Sequence, residues 1–241
     1  MKKIKKSSEL LWVFGIVFVA LGVAICSKAD LGVSMVAAPA FVVFDAIKGL
    51  WAGFSVGMTE YIIQGLLLIL LCIIVKKFNW RYLIAFLVSV IYGYTLNFFL
   101  WALNGVNFNE IWIRGIMLVV GDIVTAFGVA CFFKTYMPLQ VYELFVSETA
   151  TTFKISISKI KSIFDISLLV LSITLALTLF NDVTTFDWST LYYQSFHSIG
   201  LGTIFTTIIN APFINACSKL LDKIFEPTAM FPTLEKIFKI N

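Results

Sequence analysis

The stretch LGVAICSKADLGVS (Leu21–Ser34) decides the fold, because a related stretch, FGVACFFKTYMPLQ (Phe127–Gln140), occurs again in the second half of the chain. Gly22 and Gly128 are 106 residues apart (128 − 22), and the lysines of the two stretches have the same offset. Two long copies in one short chain indicate an internal duplication. The alternative is that apolar sequence of low complexity matches itself by chance.

The similarity of the two copies continues beyond these stretches. SVGMTEYIIQ (Ser55–Gln64) leads into an apolar run in the first copy, and SISKIKSIFD (Ser156–Asp165) leads into one in the second. Matching Gln64 to Asp165 requires a gap of a few residues. The predicted domains are a basic cytoplasmic N-terminus (1–9), a first membrane repeat (10–110), a second membrane repeat (111–221) and a cytoplasmic amphipathic tail (222–241).

The composition is that of a membrane protein. Of the 241 residues, 60% are hydrophobic and 13% are charged, whereas a soluble domain carries roughly a quarter charged residues. The chain therefore has too little polar surface to cover a globule in water, and a polytopic membrane protein is expected. The four cysteines lie singly in apolar runs, so no disulfide, metal or cofactor is expected. The net charge of +4 reflects lysines that flank helices, and no nucleic acid is expected.

The basic start MKKIKKSSE, followed by an apolar run, could belong to a cleaved signal peptide. The run continues to about Cys26, which is longer than a usual signal sequence, and no A-x-A site follows it. We expect that nothing is removed.

Six apolar runs are long enough to cross about 30 Å of hydrocarbon at 1.5 Å per residue. The second run is short and is expected to extend towards the N-terminus through Met58. Two further segments are ambiguous: Leu31–Ile47, with Pro39 and Asp45, and Met137–Phe153, with two glutamates. The six runs are Leu10–Ser27, Tyr61–Val75, Leu83–Leu103, Ile111–Phe133, Ile163–Phe180 and Phe196–Cys217.

The placement of basic residues favours six spans with both termini in the cytoplasm. If neither ambiguous segment crosses, only Lys28, Lys48 and Arg114 face outward. The outer loops Asn104–Glu110 and Asn181–Trp188 then contain no basic residue. If Leu31–Ile47 alone crossed, every downstream loop would invert and the bias would collapse, and if both segments crossed, Lys76, Lys77 and Arg81 would face outward. The basic residues on the cytoplasmic side are Lys2, Lys3, Lys5, Lys6, Lys76, Lys77, Arg81, Lys134, Lys154, Lys159, Lys161, Lys219, Lys223, Lys236 and Lys239.

The expected fold class is an all-α polytopic membrane protein. Its six transmembrane helices form two inverted three-helix repeats, because three is odd and the second copy enters the membrane upside down. Each repeat has a non-crossing segment, re-entrant or interfacial. Re-entrant segments would dip from outside at Leu31–Ile47 and from inside at Met137–Phe153, and would share a central cavity. The alternative is that both lie flat on the membrane surface. The tail contains two short amphipathic pieces, KLLDKIF and TLEKIFKI.

Ionisable side chains at membrane depth are the candidate substrate or ion ligands. Asp122 lies near the centre of its run, about eleven residues from either end. Asp165 and Gln64 occupy matching places in the two copies, and Glu60 shares a helix face with Gln64 at i and i+4. The alternatives are a structural hydrogen bond for Asp122 and an interfacial position for Asp165.

Four further polar residues are weaker candidates. Asn97 and Asn215 end the two copies, and asparagines in membrane helices often serve helix packing. Lys28 could stand at the outer mouth of a cavity and favour an anionic solute, or it could simply snorkel. His197, the single histidine, lies near the outer start of the sixth span, where an interfacial role is typical.

Several motifs resemble the YczE/YitT type of bacterial integral membrane protein. They are KADLGVS, the SVG before the second span, SISKIKSIFD, and IGLGT followed by NAPFIN. The resemblance covers most of residues 10–221 and implies a duplicated membrane topology. This sequence departs from the family at Asn97 and Asn215, where an acid often stands, and in lacking a glycine-rich stretch around Met137–Gln140.

The sequence contains no nucleophile–base pattern, HExxH motif, P-loop or dinucleotide fingerprint, so an enzyme is not expected. We expect a bacterial inner-membrane transporter of a small solute, with an anionic solute as one option, working by alternating access without ATP hydrolysis. The alternatives are a channel or facilitator pore and a non-transporting membrane scaffold. The expected partners are the lipid bilayer and a small-molecule or ion substrate, and a homo-oligomer is left open.

Overall fold

Long α-helices dominate the computed structural model, which describes residues 4–51 and 53–238. Two short strands, β1 (Ile4–Ser7) and β2 (Phe225–Thr228), pair in parallel beside the helices. The helices are α1 (Ser8–Ala29), α2 (Ala38–Ile47), α3 (Val56–Val75), α4 (Arg81–Ala102), α5 (Ile111–Phe132), α6 (Val141–Phe153), α7 (Ile157–Leu179), α8 (Leu201–Ile224) and α9 (Pro232–Phe238).

Six of the described helices are long and apolar enough to span a membrane, namely α1, α3, α4, α5, α7 and α8. Each has between 20 and 24 residues, and about 20 are needed to cross the hydrocarbon. Helices α2 and α6 have 10 and 13 residues and are too short to cross. The chain is a multi-pass membrane protein, and the predicted all-α class with six spans and two shorter segments is confirmed.

Helices α3 and α7 begin within the polar segments that precede their predicted runs, and a serine stands directly before the first turn of each. Helix α3 begins at Val56, where the Ser55 hydroxyl accepts a hydrogen bond from the Met58 N–H. Helix α7 begins at Ile157 rather than Ile163, directly after Ser156. The polar residues of these first turns are therefore helical, although their hydropathy placed them in loops.

Helix α8 starts later and ends later than predicted. The predicted start at Phe196 is wrong, because His197 and Ser198 have positive φ values of 43° and 70°, outside the helical range. The helix then continues to Ile224. The piece KLLDKIF therefore belongs largely to α8 and is not a separate surface helix. The piece TLEKIFKI forms α9 as far as Phe238. The predicted cytoplasmic positions of Lys2, Lys3 and Lys239 lie outside the described residues.

Helices α1 and α5 pack antiparallel at the centre of the bundle through glycines. A Cβ atom on Gly22 would lie 2.5 Å from the Gly121 carbonyl oxygen, and one on Gly128 would lie 3.0 Å from the Gly15 carbonyl oxygen. Gly15 and Gly121 are separated by the same 106 residues (121 − 15) as Gly22 and Gly128 (128 − 22). Exchanging the two copies therefore exchanges the two contacts, as a two-fold axis requires.

The other helix contacts follow the same exchange. Helix α1 packs on α4 as α5 packs on α8, and α3 packs on α4 as α7 packs on α8. The short helices cross over between the copies, with α2 against α7 and α6 against α3. The short helix of each copy thus packs against the second spanning helix of the other copy, which is α7 for α2 and α3 for α6.

Both short helices begin inside the bundle. Val36, just before α2, lines the same central cavity as Gln140, the residue that precedes α6. The backbone N–H of Val141 donates to the Ser89 hydroxyl in the middle of α4, at 3.2 Å. An interfacial helix would keep this end at the surface, so the geometry is that of a segment entering the bundle and turning back.

Polar contacts fasten both ends of the α1–α5 pair. At one end the Arg114 guanidinium donates to the carbonyl oxygens of Ala29 (2.8 Å) and Asp30 (2.5 Å) and to the Asp30 carboxylate. At the other end the Ser8 hydroxyl donates to Thr135 at 2.9 Å and accepts from the Tyr136 N–H. Residues 8 and 114, 29 and 135, and 30 and 136 each differ by 106, so these contacts are also exchanged.

The first and last described segments of the chain lie at the second of these ends. Strand β1 precedes α1, strand β2 follows α8, and the two strands pair. The Glu9 carboxylate accepts hydrogen bonds from the Tyr136 hydroxyl and from the backbone N–H groups of Met230 and Phe231. Burial, and then the hydrogen bond to Glu9, raises the pKa of Tyr136 above its ordinary value. This end is called the terminal end below, and the opposite end is called the distal end.

Candidate functional site

Polar side chains gather in the interior of the bundle, where apolar packing would be expected. They come from six helices and from the residue that precedes α6, and each is less than 9% exposed. The residues that make up this central cluster are Glu60, Gln64, Ser89, Tyr92, Asp122, Thr125, Gln140, Tyr142, Glu143, Lys161, Asp165 and Asn210.

The first repeat contributes Glu60 and Gln64, on one face of α3. The Tyr142 hydroxyl, from the first turn of α6, donates to a Glu60 carboxylate oxygen at 2.9 Å. The Ser89 hydroxyl donates to the Gln64 side-chain oxygen at 2.5 Å. Since Tyr142 belongs to the second repeat, the start of α6 is tied into the first repeat at this place.

The second repeat contributes Lys161 and Asp165, on one face of α7. The Lys161 ammonium lies 2.8 Å from a carboxylate oxygen of Asp165, and both side chains are buried. The Asn210 amide donates to the other Asp165 oxygen at 3.3 Å. A buried ion pair with this additional hydrogen bond has the partners that buried charges require.

The two pairs occupy equivalent positions in the two copies. With Ser55 matched to Ser156, an offset of 101 residues (156 − 55), Glu60 matches Lys161 and Gln64 matches Asp165. The two similar stretches thus each carry an i, i+4 polar pair in the bundle, one with an acid at the first position and one with a base.

Asp122 is the least satisfied member of the central cluster. It is 0% exposed, and neither of its carboxylate oxygens has a hydrogen-bond partner among the described residues. Asp165 and Lys161 lie within electrostatic range of it. It follows Gly121, which lets α1 approach α5 closely, so the packing of these helices holds Asp122 in the interior.

A small closed cavity of about 10 Å³ lies within the central cluster, which is room for about one water molecule. Gln140, Glu143 and Lys161 are among the residues that line it. One side-chain oxygen of Gln140 and one of Glu143 lack hydrogen-bond partners among the described residues. Buried oxygens without partners can accept a hydrogen bond from water or bind a small cation.

The charges of the central cluster do not balance. It contains four carboxyl groups, those of Glu60, Asp122, Glu143 and Asp165, and one ammonium group, that of Lys161. If all were ionised, the net charge would be −3, and burying it would be very costly. Protons or bound cations can supply the missing positive charge.

A family model described as a family of unknown function, DUF6198, matches residues 6–219. The chain belongs to this family. All residues of the central cluster of this DUF6198 protein lie within the matched range. A search of curated proteins and a search of solved structures each found no match.

The structure brings together four of the seven site residues predicted for the DUF6198 chain, namely Asp122, Asp165, Gln64 and Glu60. Their role as substrate or ion ligands stays a prediction. They meet because α3, α5 and α7 present their polar faces to the same interior, which the sequence spacing alone does not specify.

The other three predicted residues lie elsewhere. The Asn97 side chain accepts from the Gly57 N–H at 2.9 Å and donates to the Ser55 hydroxyl, so it secures the first turn of α3. Asn215 donates to the hydroxyl of Ser158 in the first turn of α7, at 3.1 Å. These contacts match the helix-packing alternative. Lys28 is only partly buried in the last turn of α1 and does not line the central cavity.

The single histidine is also outside the central cluster. His197 lies 3.0 Å from the Asp182 carboxylate, between the α7–α8 connection and the turn before α8. This contact at the distal end agrees with the interpretation that His197 lies at the membrane interface.

Sequence reasoning missed several members of the central cluster. The prediction that Lys161 faces the cytoplasm is wrong, because its side chain is buried against Asp165. The signal was present, since Lys161 lies four residues before Asp165 and matches Glu60 in the first copy. Hydropathy counts treat every lysine near a span alike, and only packing distinguishes a buried one. The other missed members are Ser89, Tyr92, Thr125, Gln140, Tyr142, Glu143 and Asn210.

Proposed function

We propose that this protein is a secondary transporter of a small solute, working by alternating access without ATP. In this proposal the central cluster binds the coupling ion, a proton or a small monovalent cation. The observation that carries it is Asp122, a fully buried carboxyl group in a spanning helix with no hydrogen-bond partner among the described residues.

The energetic argument concerns the cost of Asp122. An aspartate at the centre of a membrane helix costs about 2.5–3.5 kcal/mol on insertion scales. In a purely structural role it would have partners, as Asp165 has an ion-pair partner in Lys161 and a hydrogen-bond donor in Asn210. A buried carboxyl group without hydrogen-bond donors destabilises the fold, and a functional role would explain why it is present. A bound ion would be the missing partner.

The arrangement of the repeats supports alternating access. The α1–α5 contacts are antiparallel and are exchanged by the 106-residue offset, which favours two inverted repeats with an axis in the membrane plane. Helices α2 and α6 both begin at the central cavity, as the half-helices of such transporters do at their midplane sites. Movement of one repeat against the other would expose the central cluster to each side in turn.

The composition of the central cluster favours a cation over an anion as the coupling ion. The option of an anionic solute rested on Lys28, which does not line the central cavity. The cluster itself has four carboxyl groups against one ammonium group. An anion there would add to the unbalanced negative charge.

We also propose that the protein lies in the bacterial inner membrane with both termini in the cytoplasm. The even number of spans among the described residues and the pairing of β1 with β2 support both ends being on one side, and the excess of lysine on that side favours the cytoplasm. A relation of this family to the YczE/YitT type is supported by KADLGVS and SISKIKSIFD.

Ligand-induced stabilisation of the protein purified in detergent tests the proposal. Unfolding is followed in lithium, sodium and potassium chloride, with choline chloride as the control, and across pH. A ligand at a hundredfold excess over its Kd stabilises by about 2.7 kcal/mol. Stabilisation should occur in the wild type and in Asp182→Asn, which changes an acid at the distal end, but not in Asp122→Asn.

Transport by the same variants in proteoliposomes gives the second readout. A gradient of the stabilising cation should drive saturable movement of protons or solute with wild type and not with Asp122→Asn. Non-saturating flux would favour a channel. An equal response of wild type and Asp122→Asn would refute the assignment of the coupling site.

A further inference from the structure

A cleft of about 230 Å³ opens between the first turn of α7 and the second half of α8. Its lining includes Ser158 and Lys161 from α7 and Ala211, Asn215 and Ser218 from α8. Lys134, which pairs with Asp222 near the chain ends, also lines it. The cleft therefore opens towards the terminal end of the bundle.

Lys161 stands between this cleft and the central cavity, because its side chain lines both. Its ammonium lies 2.8 Å from Asp165 and 5.7 Å from the centre of the Phe164 ring. Only 4% of the residue is exposed, although the cleft reaches it. A lysine side chain thus forms the wall between an open space and the closed cavity of the cluster.

The equivalent place in the first repeat is closed. Gly57, which matches Ser158 at the offset of 101 (158 − 57), packs directly on Gly93 of α4. A Cβ atom on Gly93 would lie 2.6 Å from the Gly57 carbonyl oxygen, and Asn97 bonds across the contact. Glycine permits this close approach of two helices, whereas serine carries a side chain. The difference between Gly57 and Ser158 therefore explains why the helices of the first repeat pack closely where those of the second repeat leave a cleft.

The distal end is sealed by further contacts. Arg114 joins the ends of α1 and of the α7–α8 connection through the Asp30 and Tyr193 carbonyl oxygens. The Leu31 carbonyl oxygen accepts from the Gly202 N–H at 2.8 Å. These contacts close the distal end of the bundle, whereas towards the terminal end the Lys161 side chain lines both the cleft and the central cavity.

We infer that the α7–α8 cleft is the entrance to the central site from the terminal side, and that Lys161 is its gate. The Lys161 ammonium acts as a resident cation on Asp165, and an incoming monovalent cation takes its place there. Displacement leaves the charge on Asp165 balanced and frees the lysine side chain to swing into the cleft. This inference rests on the proposed function, because it names how the same site is reached.

Thiol accessibility tests the entrance independently of transport. The four cysteines are replaced by alanine, and Ser158→Cys, Thr125→Cys and Thr59→Cys are introduced singly. A membrane-impermeant methanethiosulfonate is added to one side of oriented vesicles and then to the other. Ser158→Cys should react only from the terminal side, and Thr59→Cys, a buried control in the first turn of α3, should not react from either side. Reaction of Ser158→Cys from the distal side would overturn the inference.

The gate is tested with Thr125→Cys, which lines the central cavity. With Lys161 present, Thr125→Cys should react slowly. Lys161→Ala should raise the reaction rate from the terminal side at least about tenfold, because a tenfold change corresponds to a change of only about 1.4 kcal/mol in the free energy of opening the site. Lys161→Ala leaves the buried Asp165 without its partner and can fail to fold. In that case the double variant Lys161→Ala/Asp165→Ala, which removes both charges, is used in its place. An unchanged rate in a folded variant overturns the gate.

Cation displacement has its own readout in the chain that retains Lys161. Lithium, sodium or potassium chloride should raise the reaction rate of Thr125→Cys several-fold over choline chloride. No increase with any of the three would overturn the displacement step. If the thiol pattern holds while Asp122→Asn responds to cations as the wild type does, the entrance stands and the proposed coupling role of Asp122 fails.

Discussion

The packing of α1 on α5 predicts that Gly22→Ala destabilises the protein. A Cβ atom there would contact the Thr125 hydroxyl and would lie 2.5 Å from the Gly121 carbonyl oxygen and 2.6 Å from the Thr125 N–H nitrogen. Two of these three neighbours are backbone atoms of a long helix, which cannot give way without moving α5. The two helices must therefore separate.

The magnitude follows from two opposing effects. Overpacking of a close contact costs about 1–3 kcal/mol, whereas replacing glycine by alanine inside a helix gains about 0.5–1 kcal/mol. The net destabilisation is up to about 2.5 kcal/mol. For a protein of this size, each kcal/mol lowers the Tm by about 2–4 °C, so a fall of up to about 10 °C is expected.

Gly115→Ala provides the matched control. It lies in α5 like Gly121, but a Cβ atom there would meet nothing within 4 Å. Its Tm should stay equal or rise slightly, since only the helix-propensity gain acts. Gly128→Ala should fall between the two, because its nearest atoms, in Val19, lie 2.7 and 2.8 Å away.

Thermal unfolding of the four proteins in one detergent measures these values. The reasoning is refuted if Gly22→Ala has the Tm of Gly115→Ala, because the described contact would then not exist in the folded protein. A larger fall for Gly128→Ala than for Gly22→Ala would contradict the order of the contacts.

Two further predictions concern polar contacts at the helix ends. Arg114→Ala should lower the Tm by several degrees, because it removes hydrogen bonds to Ala29, Asp30 and Tyr193. Each hydrogen bond to a charged group contributes about 1.5–3 kcal/mol. Arg114→Lys should restore only part of the lost Tm, since an ammonium group lacks the planar fork of a guanidinium group. Asn97→Ala should cost about 1 kcal/mol, as loss of a helix cap does, while Asn215→Ala, whose side chain is exposed in the cleft, should change the Tm little. Thermal unfolding measures both, and equal effects of the two asparagine variants would contradict the asymmetry between the repeats.

Local sequence was enough for the membrane class and for the six spans, because lipid selects for length and hydropathy within each segment. It was not enough for helix starts. Helices α3 and α7 begin within polar segments, directly after Ser55 and Ser156, where hydropathy does not report the helix start; Ser55 also caps α3 by accepting from the Met58 N–H. The turn at His197 and Ser198 delays α8 in the same way, through backbone conformation that composition does not report.

The candidate site was predictable in part. Asp122 was identified because an acid in the middle of an apolar run is conspicuous in the sequence alone. Glu143 and Lys161 were not, because the first lies in a segment of moderate polarity and the second among cytoplasmic lysines. Their burial depends on where α6 and α7 pack.

The sequence by itself determined that this chain is a multi-pass membrane protein, since the apolar runs are local properties, and its two similar stretches predicted an internal duplication. Only the tertiary structure decided that Lys161 is buried beside Asp165 and that one repeat is closed where the other is open. The physical reason is that these outcomes depend on distances between helices, and close approach at Gly57 and Gly93 becomes visible only when both helices are in place.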